Sequence, residues 1–332
     1  MNRRLSIMAF FVLSCSLVVP RGSAQDLFPG LGDQRVGISS FTFLKIGVGA
    51  RAVAMGEAYG AIANDATALY WNPAAVVISE TDQVVVAHTE WFADIRHEFG
   101  GVLYHLTPED AVGISFITLT TDDMPRTTTL MPMGTGEMFR FQDLSVGLTY
   151  SRKMTNQFSF GVTARYIREQ IAELSMQNIV VDVGAYYLTG FSTTRFAIVL
   201  SSFGSATRPE GSIVVDGVGD ISQFEEFSPP TQFRLAFAME PILLESHRLT
   251  TSFQLNHPND NAENIGIGLE YGWNETVFLR LGYRINVDEQ RLPSLGFGLQ
   301  VPVEFSTLQF DYAVSSYHLL GMAHRFTLGA SF

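Results

Sequence analysis

The sequence predicts an all-β fold: a transmembrane antiparallel up-and-down β-barrel of fourteen strands with a separate N-terminal segment. Three observations carry this. Apolar and polar residues alternate with period two along most of the chain, as they do in a strand with one greasy and one wet face. The chain is 46% apolar, with 26 Phe and 11 Tyr, but only 16% charged, against about 25% in a typical soluble domain. That apolar surface needs a core or a lipid to hide in. No run of about 18 uncharged apolar residues follows Gln25, so no transmembrane helix is available to do the hiding.

Residues 1–24 read as a secretory signal. Arg3 and Arg4 form the charged start, Leu5 to Val19 the apolar stretch, and Gly22-Ser23-Ala24 the small-residue cleavage site. Val12-Leu13-Ser14 before Cys15 also fits a lipoprotein signal. However, the apolar run continues past Cys15 to Val19, where a lipidated cysteine would open a polar tether. Cys15 is the only cysteine, so the processed chain would hold no disulfide, thiolate metal site or cysteine nucleophile. Cleavage also removes three arginines. It leaves 18 basic residues against 33 acidic ones, a net charge of −15. Such a balance argues against a nucleic-acid partner.

Residues 25–82 form the segment ahead of the barrel. Within it, positions 41–78 crowd Gly47, Gly49, Ala50, Ala52, Ala54, Gly56, Ala58, Gly60, Ala61 and Ala63 together. Residues this small let backbones approach closely, as a segment threaded through a barrel lumen requires. Asn72-Pro73 is a turn signal that stops any preceding helix. Gly47 to Ala52 also spells GxGxxA with Asp65 eighteen residues on, but no βαβ unit follows to make it a dinucleotide site.

Residues 83–332 form the barrel. The expected strands span 83–92, 95–107, 110–121, 139–153, 157–170, 178–189, 194–204, 231–240, 247–257, 263–272, 275–285, 293–301, 305–315 and 322–332. Most are long enough to cross a bilayer at a tilt. Phe158, Phe160, Val162, Ala164 and Tyr166 share one face, opposite Ser159, Gly161, Thr163 and Arg165. Val277, Leu279, Leu281 and Tyr283 oppose Arg280, Gly282 and Arg284, and Leu308, Phe310, Tyr312 and Val314 oppose Gln309, Asp311, Ala313 and Ser315. The polar faces carry Gly, Ser and Thr more than Lys and Glu, which suits a lumen better than bulk water. Connections sort by parity. With the first strand running outward, the long loops 122–138 and 205–230 lie outside, and the short turns 107–110, 153–156 and 272–275 lie inside. In hydrocarbon an unpaired sheet edge is too costly, so the sheet must close. The last strand alternates Phe326, Leu328, Ala330 and Phe332 against Arg325, Thr327, Gly329 and Ser331. A terminal aromatic in the closing strand marks Phe332 as an assembly signal.

The stretch FLKIGVGARAVAMGEAYGAIANDATALYWNPA resembles the N-terminal signature of the PorV/PorQ family, outer-membrane barrels related to the FadL fatty-acid transporters. The resemblance implies a FadL-like barrel in the bacterial outer membrane whose N-terminal segment plugs the lumen. It makes Gly47, Gly49, Arg51, Met55, Gly56, Asn72 and Pro73 the structural signature of that plug. It implies a non-enzymatic role without a cofactor. PorV-type members serve type IX secretion by binding the C-terminal domains of exported cargo, and PorQ-type members help anchor the surface-attachment complex. FadL-type relatives instead admit hydrophobic molecules, the alternative role. The expected partners are outer-membrane lipid, together with secretion subunits and cargo domains, or a hydrophobic ligand.

Other chemistry finds little support. The seven histidines, His88, His97, His105, His247, His257, His318 and His324, show no metal or catalytic spacing, and there is no GxSxG elbow. Arg165, Arg280 and Arg284 fall on lumen faces. They require partners such as Asp311, Glu57 or Asp65, or else form a selectivity ring. Loop 205–230 carries Glu210, Asp216, Asp220, Glu225 and Glu226, suited to solvent, calcium or partner docking. Loop 122–138 carries Met124, Met131, Met133 and Met138, whose thioethers suit adaptable apolar contacts or a simple mobile lid.

Overall fold

The computed structural model describes residues 37–215 and 219–332. The expected signal at 1–24 and the start of the 25–82 segment lie outside these residues. So does Asp216 of the acidic loop.

Fourteen strands close into one antiparallel barrel in which each pairs with its sequence neighbours. They are β1 (Gln83–Glu90), β2 (Arg96–His105), β3 (Asp110–Thr120), β4 (Phe141–Lys153), β5 (Phe158–Ile171), β6 (Leu174–Leu188) and β7 (Arg195–Phe203). They continue as β8 (Gln232–Leu243), β9 (His247–Pro258), β10 (Asn264–Trp273), β11 (Val277–Ile285), β12 (Ser294–Val303), β13 (Ser306–Tyr317) and β14 (Gly321–Ser331). Closure is made by β14 on β1, in unbroken register from Gln83 opposite Ser331 to Glu90 opposite His324. The regular strand stops at Ser331, one residue before the expected end. Phe332 extends the ladder only by donating its backbone N–H to Asp82 O at 3.0 Å.

The period-two pattern maps onto the two faces of the wall. On β5, Ser159, Gly161, Thr163 and Arg165 are buried, and Phe160, Ala164 and Tyr166 between them are exposed. On β11, Phe278, Arg280 and Gly282 alternate with exposed Leu279, Leu281 and Tyr283. Exposed apolar side chains recur around the outside, among them Ile114, Leu148, Ile198, Leu269 and Leu328. A wall apolar outside and polar inside is built for lipid around it. Odd-numbered connections leave from one end, and they include both long ones, 121–140 and 204–231. Each long connection carries a short ribbon, Met124–Pro125 with Met138–Phe139 and Ile213–Val215 with Gly219–Ile221. This is the loop end of the barrel; the opposite one is the turn end.

The core lies inside the barrel. Residues 41–78 contain two short helices, α1 (Ala50–Ala54) and α2 (Ala68–Trp71), flanked by 3-10 turns at Thr42–Lys45 and Pro73–Ile78. Phe41, Met55, Tyr59, Leu69 and Trp71 of this segment are fully buried together with Phe99, Leu103, Ile117 and Ile167 of the wall. Trp71 and Tyr70 pack edge to face with centroids 4.9 Å apart.

Candidate functional site

The interior segment is the most elaborated part of the molecule, and close approach of backbones explains its small residues. After α1 the chain turns through Gly56 and Glu57, both left-handed with φ of 64° and 61°. A Cβ on Gly56 would lie 2.7 Å from Ile267 O and from Tyr283 N. The wall is bare in return. A Cβ on Gly282 would sit 1.9 Å from Gly56 N, one on Gly266 2.4 Å from Gly56 O, and one on Gly268 2.5 Å from Met55 O. Gly296 faces Ala54 in the same way. Inward glycines on β10, β11 and β12 thus form a cradle for Met55 and Gly56. Gly47 and Gly49 make room within the segment itself. A side chain would meet Glu57 Oε1 at 2.8 Å in the first case and Thr67 Cγ2 at 3.1 Å in the second, where φ is 81°.

Asn72 and Pro73 dock on the opposite wall. Asn72 ends α2 and caps the following 3-10 turn by accepting from Ala74 N at 3.0 Å, and its amide donates to Gly60 O at 2.9 Å. A Cβ on Gly184 of β6 would fall 2.2 Å from Asn72 Oδ1, and one on Gly161 of β5 2.3 Å from the Pro73 carbonyl. Inward wall side chains satisfy the segment backbone elsewhere. Ala50 N donates to Thr327 Oγ1 at 2.9 Å, Gly60 N to Gln254 Oε1 at 2.9 Å, and Ser159 Oγ to Ala74 O at 2.7 Å. Such bonds are required because buried backbone groups must be partnered.

Charge organises the cradle side. Arg51 forks onto Glu270 of β10, with Nε to Oε2 at 2.7 Å and Nη2 to Oε1 at 2.9 Å. Its Nη1 donates to Asn64 Oδ1 at 2.6 Å and lies 3.7 Å from Asp65. Glu270, with no solvent exposure, also accepts from Arg280 Nε at 2.7 Å, and Arg280 continues to Asp311 at 2.6 Å. Burial opposes the charge on Arg51, but Glu270, Tyr59 and Asp65 outweigh it and hold its pKa well above the ordinary value. Burial pushes the Tyr59 hydroxyl up, and it donates to Asp65 at 2.6 Å. Two further ion pairs tie the segment to the loop end, Lys45 to Asp260 at 2.7 Å and Glu57 to Arg284 at 3.0 Å.

Arg165, Arg280 and Arg284 therefore find carboxylates rather than forming an open ring. Arg280 takes Asp311 and Arg284 takes Glu57, two of the partners expected. Arg165 pairs with Asp182 at 2.7 Å, and Asp65 serves Arg51 and Tyr59 instead. The sequence places Gly161 and Gly282 on lumen faces, but neither Glu270 nor the use of the wall glycines as seats for the segment is read from it. The signal was present in Gly266, Gly268, Glu270 and Gly272, which occupy one face of β10. Among the described residues no three of His, Cys, Asp or Glu gather to hold a metal. The four methionines of the first long loop are mostly open to solvent, with Met133 at 98% exposure. Arg126 in that loop bridges Glu137 at 3.0 Å and Glu173 at 2.7 Å.

Three hollows bear on passage through the molecule. At the turn end a cavity of about 660 Å³ is lined by polar residues such as Arg51, Asp65, Arg195 and Glu240. At the loop end a smaller one of about 160 Å³ includes Lys45, Glu57, Arg234 and Arg284. On the outer wall an apolar hollow of about 680 Å³ lies over Val86, Leu299, Leu308 and Leu328. It shares Val84, Gln309, Gly329 and Ala330 with the turn-end cavity, but the continuous β1–β14 ladder keeps the wall shut there.

Residues 31–258, which include the whole interior segment and β1 to β9, match the family model described as type IX secretion system protein PorV. The chain belongs to the PorV family. No curated protein matches it. Among solved structures it is similar to the Ralstonia pickettii toluene transporter TbuX and to the Pseudomonas putida toluene transporter TodX. Both are 12% identical, over 86% of this chain and 97% of theirs, with TM-scores of 0.57 and 0.56. A Pseudomonas aeruginosa FadL homologue is similar at a TM-score of 0.54 and 12% identity, over 85% and 96%. Likeness at this identity establishes the fold. This PorV-family member is a FadL-like fourteen-stranded barrel of the bacterial outer membrane.

Proposed function

We propose that this PorV-family barrel is a binding component of type IX protein secretion or surface attachment, with its interior segment acting as a plug. The family match over residues 31–258 carries the reading. The interior supports it. Arg51 of the segment and Glu270, Arg280 and Asp311 of the wall meet inside the barrel as buried, mutually paired charges. A buried pair is hard to break once made, so the segment favours a permanent seal over a passage. The contact surface would be the loop end, where Leu130, Met131 and Met133 stand exposed. Partners would be secretion subunits and the C-terminal domains of cargo. The role is recognition rather than chemistry. Gly47, Gly49, Arg51, Met55, Gly56, Asn72 and Pro73 fix the plug, and Phe332 marks the closing strand for assembly.

The toluene transporters among the fold neighbours favour uptake of a hydrophobic molecule as a second reading. The turn-end and loop-end cavities both expose more polar than apolar lining and hold charged side chains such as Arg51, Asp65, Arg234 and Arg284, which is a poor path for such a cargo. A gentle pull-down from outer membranes separates the two. Recovery of secretion subunits or of proteins sharing a C-terminal domain is expected. Recovery of this chain alone would remove the secretion reading.

A further inference from the structure

The loop-end cavity holds one guanidinium more than its acids can neutralise. Lys45, Arg234 and Arg284 all line it. Lys45 is paired with Asp260 and Arg284 with Glu57. Arg234 has no ion pair among the described residues, although it is only 4% exposed. Its Nε and Nη2 both donate to Gln232 Oε1, at 3.2 and 2.7 Å. Its flat face rests on Trp71 and Tyr70, with Cζ 5.3 and 5.6 Å from the ring centroids. Nη1 is left buried without a partner. An unpaired buried cation is costly, and this one lines a hollow whose other walls include the amides of Asn256, Asn261 and Asn264.

We propose that this cavity is a binding site for a single carboxylate group, anchored by Arg234 Nη1. Charge selects the class. One unpaired cation matches a monoanion, whereas a phosphate brings about −1.5 to −2. Size and lining select the kind of molecule. A volume of about 160 Å³, with Trp71, Pro258 and Val287 among mostly polar side chains, admits a headgroup of a few heavy atoms and is too small to take a long alkyl chain as well. The carboxylate therefore belongs to a small polar acid or to the C-terminus of a polypeptide reaching in from the loop end. The site does not depend on the secretion role, since it rests on Arg234 alone.

Trp71 lies against Arg234, so tryptophan fluorescence of the purified, detergent-held barrel reports occupancy. The probes are acetate, N-acetyl-glycyl-glycine as the free acid, and the same peptide as the C-terminal amide. Saturable binding is expected for acetate or for the free-acid peptide, and none for the amide. Acetate alone would identify a free acid as the ligand; binding of the peptide acid as well would admit a polypeptide terminus. Arg234→Gln is expected to weaken binding by about tenfold or more, with Arg234→Lys intermediate. Heat-modifiable gel migration checks that each variant is folded. Equal binding of acid and amide, no binding by any probe, or an unchanged affinity in folded Arg234→Gln would each overturn the proposal.

Discussion

The interior segment meets the wall at two places, and they solve the same problem with different chemistry. Met55 and Gly56 lie in a cradle of glycines on β10, β11 and β12, and Asn72 and Pro73 lie on Gly161 and Gly184 of β5 and β6. In both, the wall presents bare Cα atoms so that backbone touches backbone. Beyond that they diverge. The first contact is reinforced by the Arg51–Glu270–Arg280–Asp311 chain of charges. The second is neutral: the Ser159 hydroxyl donates across it to Ala74 O, and the Asn72 amide only braces the segment against itself, at Gly60 O and Ala74 N. Bare backbone supplies proximity in each, while the charged contact adds a penalty for separation. Pulling α1 away would strip Arg51 from Glu270, which keeps Arg280 at 2.7 Å and Arg248 at 3.5 Å, whereas pulling the Asn72 turn away would cost the ordinary Ser159–Ala74 hydrogen bond.

The largest expected effect breaks the charged contact at its hub. Glu270→Leu leaves Arg51 and Arg280 buried with their shared carboxylate gone, and the loss should reach about 3–5 kcal/mol. It should appear as a lower temperature for the heat-modifiable gel shift and as protease cleavage between residues 41 and 78. An unchanged transition would mean that the network does not hold the segment.

Next come the glycine contacts, which test whether the two places are equivalent in packing. Gly282→Ala and Gly161→Ala each place a Cβ within 2.3 Å of segment backbone atoms, and overpacking of this kind costs about 1–3 kcal/mol. Similar losses in the two variants would confirm that proximity is shared. A much larger loss in Gly282→Ala would show that displacing Gly56 also strains the Arg51–Glu270 fork.

Asn72→Ala probes the neutral contact at about 1–3 kcal/mol, because Gly60 O and Ala74 N then lose their partner in a buried place. Proteolysis should open the Asn72 side without freeing α1. Cleavage near Ala50 in this variant would overturn the independence of the two contacts.

The barrel was legible in the sequence for a plain reason. A wall one residue thick writes its two faces directly as alternation, so Val277 to Arg284 or Leu308 to Ser315 declare inside and outside without any partner being known. The ends were less legible. The expected strands stop at 170 and resume at 178, but Leu174 to Asn178 pair with Ile171 to Ile167 of β5. Leu174 and Met176 share the inward face of Val180, but the outward face there is Ser175 and Gln177, because this hairpin continues where lipid contact no longer selects for an apolar one. The segment was recognisable from its own glycines and alanines, but its attachment was not. Arg51 and Glu270 are 219 residues apart, and Gly282 owes its bareness to Gly56. Local pattern carries no trace of such long-range pairs. Only the polar-face context of Glu270, an acid between inward glycines, hinted that something would come to meet it.

The smallest expected effect lies at the rim of the charged side. Lys45 pairs with Asp260, but its side chain keeps 29% of its exposure whereas that of Asp260 keeps 3%. Water already solvates much of the ammonium, so the pair contributes about 1 kcal/mol or less, far below the Arg51–Glu270 fork. The double variant Lys45→Met with Asp260→Asn, which leaves no lone buried carboxylate behind, should therefore leave the gel-shift temperature nearly unchanged at low salt, and the small difference from the parent should vanish as salt screens the pair. Glu270→Leu should keep its deficit at any ionic strength. If both variants lost their effect in salt, the lumen would be wetter than its burial implies, and the charged contact would be no stronger than the neutral one.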